Sequence, residues 1–281
     1  MSRLQACFER LHTEDRTALI PYVMTGDPHP DVTVPLMHAM VKAGANVIEL
    51  GAPFSDPMAD GPVIQAAAER ALEFGITLDD VFAAVHEFRK LDDVTPVIMM
   101  GYLNLIEVAG YDSFAERARE AGIDGVITVD MPPEEAEAYI TALECQQLDP
   151  VFLIAPTSTD QRIRKIGAVA SGFVYYVSLK GVTGAANLDV ASVEQKVGQI
   201  RQQIDLPIGV GFGISNADTA ASVSACSDAV VVGSAIVKRM AAHQEHSAEQ
   251  TDRIIKDVTE LLNGMRQSMD NQPHDTITRT A

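Results

Sequence analysis

A single-domain (β/α)8 barrel is the fold this sequence predicts, and three observations carry the prediction. Eight short apolar runs recur along the chain, each bounded by Gly, Pro, Asp or Ser. They are rich in Val and Ile and do not alternate with polar residues, the pattern of parallel strands buried on both faces. Helical stretches separate them, and the length of 281 residues is close to that of a typical barrel. Eight strand-then-helix repeats fit a closed TIM barrel better than an open doubly wound sheet.

The elements follow in order. Leu4, Cys7, Phe8 and Leu11 fall at i, i+3, i+4 and i+7, which predicts an extra amphipathic helix before the first strand. Strands are expected at 18–24, 46–50, 96–100, 125–129, 151–155, 173–177, 207–210 and 229–232. Helices are expected at 32–42, 62–74, 78–91, 113–121, 134–145, 160–166, 190–204, 217–224 and 248–266, with additional short helices such as one opened by Ser234. Pro62 suits a first helical position, while Ser215 and Asn216 suit caps. Ile254, Ile255, Val258, Leu261 and Leu262 form one stripe that packs on the barrel. One catalytic domain is expected over 1–266, and a polar, frayed tail over 267–281.

Composition bounds the function. Apolar residues make up 47% and charged residues 21%, an ordinary globular balance. No apolar run approaches the roughly 20 residues of a membrane span, and the first residues lack the order of a signal peptide, so a cytoplasmic protein is expected. Cys7, Cys145 and Cys226 show no metal or redox spacing and are expected to be buried apolar residues. The net charge of −18 repels nucleic acid and anionic lipid. A phosphate ligand would therefore need local backbone N–H groups against an opposing global field.

In a barrel the active site lies at the C-terminal ends of the strands. Glu49 interrupts the apolar run Val47-Ile48-Glu49-Leu50 on a strand expected to be buried. Burying a carboxylate costs several kcal/mol unless it is neutralised or bonded, and a raised pKa would let it both give and take a proton near neutrality. A structural ion pair inside the barrel is the plainer alternative. Asp60 ends the following loop and is either a second functional acid or a cap for the helix after Gly61-Pro62. Tyr175 stands on the sixth strand as a possible partner of Glu49. Gly184, Gly211, Gly213 and Gly233 follow strands six to eight and Ser234 opens a helix; the N–H groups of Gly213, Gly233 and Ser234 can point at one anion, or the glycines serve only tight turns between strand and helix. The loop from Leu179 to Asn187 is long enough for a lid. His243 and His246 are spaced for a solvated helical face, lack a third ligand, and imply no metal. No dinucleotide-binding glycine motif follows the first strand.

Four segments, Pro21-Tyr-Val-Met-Thr-Gly-Asp-Pro28, Glu49 to Gln65 (ELGAPFSDPMADGPVIQ), Gly181-Val-Thr-Gly-Ala185 and Gly211-Phe-Gly-Ile-Ser215, resemble the tryptophan synthase alpha chain family. The resemblance runs from about Leu4 to Arg266. It implies a lyase of tryptophan biosynthesis that cleaves indole-3-glycerol phosphate to indole and glyceraldehyde 3-phosphate. Glu49 would be the acid/base, and Asp60 would hold the indole N–H and stabilise positive charge on the ring. Tyr175 would orient Glu49, and Thr183 would meet Asp60 when the lid closes. Gly184, Gly213, Gly233 and Ser234 would hold the phosphate, with Tyr22, Met100, Ile127 and Phe212 lining the indole pocket. The resemblance also implies no cofactor in this chain and a beta-chain partner carrying pyridoxal phosphate. The two would form an alpha2-beta2 heterotetramer in the cytoplasm, with Asp56, Pro57 and Met58 facing the partner. Two readings of the residues remain beside this one: an aldolase using Lys180 as a Schiff-base amine, and a barrel that binds a phosphate ligand without catalysis.

Overall fold

The computed structural model describes residues 2–178, 189–211 and 213–272. Eight parallel strands, β1 (Ala18–Met24), β2 (Ile48–Gly51), β3 (Val97–Gly101), β4 (Gly125–Thr128), β5 (Asp149–Ile154), β6 (Val174–Val177), β7 (Ile208–Gly211) and β8 (Ala229–Val232), close into a barrel in sequence order. The predicted barrel is thus the observed one. Closure comes from β1 pairing with both β2 and β8, with Tyr22 beside Glu49 and Pro21 beside Val232.

The outer helices are α2 (Thr33–Lys42), α3 (Pro62–Glu73), α4 (Leu78–Arg89), α5 (Leu103–Ala109), α6 (Tyr111–Ala121), α7 (Glu137–Cys145), α8 (Asp160–Gly167), α9 (Val190–Arg201), α10 (Ala217–Ser224), α11 (Ser234–Met240) and α12 (Ala248–Asp270). The predicted N-terminal helix is α1 (Arg3–Thr13). Its Leu4, Cys7, Phe8 and Leu11 join Ile20, Val47, Ile98, Ile127, Val151, Phe173 and Val231 in one buried cluster. That cluster is the barrel lumen, and α1 closes its N-terminal end, with the Phe8 and Phe173 rings 5.7 Å apart. A second and larger cluster lies between the strands and the helices. There Ile48 and Leu50 pack with Leu36, Met37, Val81, Val85 and Phe88. Strand alternation therefore turns Val47 and Glu49 into the lumen and Ile48 and Leu50 away from it.

Several boundaries depart from expectation for local reasons. The helix α5 was not expected: only Ile106 of its seven residues is fully buried, so its sequence carries little periodicity. It forms because Asp130, beyond β4, accepts a hydrogen bond from Leu103 N at 2.7 Å, and it stops at Gly110, whose φ of 78° is left-handed. Helix α7 begins at Glu137, not residue 134, because Pro132 and Pro133 lead into a turn instead. Helix α12 continues to Asp270, past the expected end of the domain at residue 266. Met269 is buried, and Asp270 binds Arg16 and Arg266. Asn216 caps α10 as expected, accepting from Thr219 N at 2.9 Å. All three cysteines are free, but Cys145 is exposed at the end of α7 instead of buried.

Candidate active site

Glu49 is 1% exposed and shares the inward parity of Val47 at the C-terminal end of β2. Among the described residues its Oε2 has no hydrogen-bond partner. Among the described residues no cation pairs with it, which does not favour a structural ion pair. Burial, and then the nearby charge of Asp60, push its pKa up to about 8. It is therefore largely a neutral acid at pH 7, yet close enough to neutrality to exchange its proton.

Asp60 lies at the other side of the same loop. It does not cap α3: Gly61 holds the cap position and no side chain bonds there. Burial raises its pKa to about 6, and the neighbouring Tyr102 hydroxyl works against that rise. The two acids thus differ by environment, with the deeper one protonated and the shallower one charged near neutrality. The loop between them is itself pinned. Tyr102 accepts from Ala59 N at 3.0 Å, Phe54 stacks on its ring at 5.2 Å, and Gln65 donates to Asp60 O at 2.9 Å. Tyr102 was not singled out in the sequence. Its only signal there was its position just beyond β3, since contact with Asp60 requires the fold.

Helix α3 is held from the opposite side. Asp27, fully buried after β1, pairs with Arg70 of α3 through two contacts of 2.6 and 3.1 Å. This fork fixes α3 against the first loop and so fixes the end of the chain segment that carries Asp60.

Tyr22 and Tyr175 flank the carboxylates. Both rings are buried, and both hydroxyls are raised well above their ordinary pKa, first by burial and then by the charges of Glu49 and Asp60. Each lies over a glycine of a neighbouring strand. A Cβ on Gly51 would sit 2.3 Å from the Tyr22 hydroxyl, and one on Gly211 would sit 2.1 Å from that of Tyr175. Gly211 thus makes room for a ring. No hydrogen bond joins Tyr175 to Glu49 in this structure.

Ile127 lies in the lumen, and Met100 bridges the lumen to a smaller cluster of Tyr22, Met24, Ala67, Ala68 and Val237 above it. Apolar walls and a carboxylate pair therefore meet at one mouth. On the opposite rim Gly213 has a left-handed φ of 77°, and Gly233 precedes Ser234, the first residue of α11. Gly184, Thr183, Phe212, Lys180 and the expected lid lie outside the described residues. Asp56 and Met58 are exposed, Met58 to 78%, on the loop after β2, with Pro57 half-buried between them. A groove of about 640 Å³ opens at the N-terminal end of the barrel, where Arg201 meets Asp228 at 2.8 Å. It lies at the far end from the carboxylate pair and forms no part of this site.

The histidine expectation needs correction. His243 and His246 lie in the turn between α11 and α12, not on a helical face. His243 binds Gln250 and Asp257, and His246 meets His29 and Asp31 from the other end of the sequence.

A closed barrel with a lumen-facing acid, a second carboxylate and apolar walls at one mouth has the make-up of an enzyme that works by acid/base chemistry. The family model of the tryptophan synthase alpha chain matches residues 8–267. Tryptophan synthase alpha chains of Thioalkalivibrio sulfidiphilus and Methylococcus capsulatus are 58% and 54% identical, each over 96% of this chain and 100% of their own length. The crystal structure of the tryptophan synthase alpha subunit from Legionella pneumophila is 43% identical, covers 97% of this chain and 100% of its own, and superposes with a TM-score of 0.88. A tryptophan synthase structure from M. tuberculosis in an aminoacrylate-bound form gives 34% identity and a TM-score of 0.82, covering 95% and 100%. The chain belongs to the tryptophan synthase alpha chain family.

Proposed function

We propose that Glu49 and Asp60 divide the work of cleaving indole-3-glycerol phosphate to indole and glyceraldehyde 3-phosphate, the carbon–carbon lyase reaction of this family in tryptophan biosynthesis. The observation that carries the reading is Glu49: lumen-facing, buried, unpartnered at Oε2 and raised to about 8. As an acid it gives its proton to the indole ring carbon that bears the side chain, producing a ring cation. Asp60, charged above about pH 6, accepts a hydrogen bond from the ring N–H and stabilises that cation. Glu49, now a carboxylate, takes the proton of the hydroxyl on the adjacent side-chain carbon. The ring–chain bond breaks, its electron pair returns to the ring, and the side-chain carbon leaves as an aldehyde. Glu49 ends protonated, as it began, so no redox or external acid is consumed.

Tyr175 orients Glu49 in the loaded site, while Tyr22, Met100, Ile127 and Phe212 enclose the ring. Gly184, Gly213, Gly233 and Ser234 receive the phosphate through backbone N–H groups, which suits a chain whose net charge of −18 repels anions at long range. Thr183 meets Asp60 on closure. A beta chain carrying pyridoxal phosphate consumes the indole. Asp56, Pro57 and Met58 face that partner in an alpha2-beta2 heterotetramer, where exposed Met58 supplies an apolar contact. Among the described residues no helix is long and apolar enough to cross a membrane. The test is indole release from indole-3-glycerol phosphate, with and without a beta partner. Release is expected to be slow alone, faster with the partner, and nearly abolished by Glu49→Gln. Unchanged turnover in that variant removes Glu49 from the mechanism.

A further inference from the structure

His29, Asp31 and His246 come from two segments far apart in sequence. The first two follow β1, and the third precedes α12. One ligand atom from each lies within 4.8 Å of the other two. His29 is fully buried, and among the described residues neither of its ring nitrogens has a hydrogen-bond partner. An imidazole offers a donor and an acceptor, and leaving a buried polar group unpaired costs about 1–3 kcal/mol, so this side chain sits where something else is able to satisfy it. His246 covers it, with ring centroids 4.3 Å apart, and the His246 Nε2 lies 2.8 Å from Asp31 Oδ2.

We propose that His29, Asp31 and His246 form a binding site for a divalent transition-metal ion of the Zn2+ class, with water completing the coordination. Two imidazoles and one carboxylate are a donor set for such ions, whereas Mg2+ and Ca2+ prefer oxygen alone. Bonds of about 2.0–2.2 Å require the ligand atoms to draw closer than their present spread. His29 is fixed by burial, while the His246 and Asp31 side chains are 59% and 73% exposed and free to close on it. The ion would then staple the loop after β1, which holds α3 through Asp27 and Arg70, to the turn that leads into α12. Its role is structural and separate from the lyase chemistry.

The test uses the full chain, stripped with chelator and titrated with Co2+ and Zn2+. One ion per chain is expected, with the visible absorption of four- or five-coordinate Co2+ and a melting temperature raised by Zn2+. His246→Asn and Asp31→Asn, both at exposed positions, should each weaken Zn2+ binding at least roughly 10-fold and remove the Co2+ bands. His243→Asn should leave both intact. Absence of stoichiometric binding, binding indifferent to His246→Asn and Asp31→Asn, or equal loss in His243→Asn overturns the site.

Discussion

Glu49 and Asp60 carry the same functional group at the two ends of one loop, and their surroundings separate them. Glu49 sits in the lumen with no donor to Oε2 among the described residues, while Asp60 has the Tyr102 hydroxyl beside it. The expected consequence is a bell-shaped pH profile of kcat/KM. Activity should rise as Asp60 ionises at about 6 and fall as Glu49 loses its proton at about 8. Because the charge of Asp60 helps to raise Glu49, Asp60→Asn should erase the acid limb and shift the alkaline limb to lower pH, on top of a lowered rate. An alkaline limb that stays in place in Asp60→Asn contradicts the coupling. The anomaly of Glu49 was legible in the sequence, since a lone acid inside an apolar run has few explanations. The part of Tyr102 was not, because no spacing links residue 102 to residue 60.

At the scale of elements, the site depends on contacts between neighbouring strands and loops. The Asp27–Arg70 fork is buried on the carboxylate side, with Asp27 fully covered. Arg70→Ala would strand that charge and should cost about 3–5 kcal/mol, read as a lowered denaturant midpoint. Activity should fall further than stability alone explains, because α3 anchors the Asp60 loop. The glycine under Tyr175 makes a second case. Gly211→Ala brings a Cβ to within 2.1 Å of the hydroxyl, so it should displace the ring and cost about 1–3 kcal/mol. In combination with Tyr175→Phe the losses should be less than additive, since both changes act on one contact. Additive losses in a double-mutant cycle would place the strain elsewhere. Sequence pattern marked Gly211 as a rim glycine, but strand pairing between β6 and β7 decides that it faces a ring.

Across the whole molecule, 39 acidic residues against 21 basic ones leave a surface that repels itself. Screening should relieve this. Raising the salt from about 0.01 M to about 0.15 M shortens the screening length from roughly 30 to roughly 8 Å. The urea midpoint of the isolated chain is expected to rise over that range. A falling midpoint would mean that exposed ion pairs such as Arg162–Glu134 outweigh the net repulsion. The same field argues for binding the phosphate through backbone N–H groups at short range, where the global charge matters least.

The sequence by itself determined the barrel, the helix before its first strand, the acid within a buried strand and the family. These rest on local periodicity, on buried strands that must be apolar, and on a motif contiguous from Glu49 to Gln65. The tertiary structure alone decided which groups meet: Tyr102 with Asp60, Arg70 with Asp27, Tyr175 with Gly211, and His246 with His29. Each of those pairs joins residues with no fixed spacing, brought together when the barrel closes and each loop is set against its neighbours. Burial and field then assign different protonation to two identical carboxyl groups, and neither quantity exists until the chain is folded.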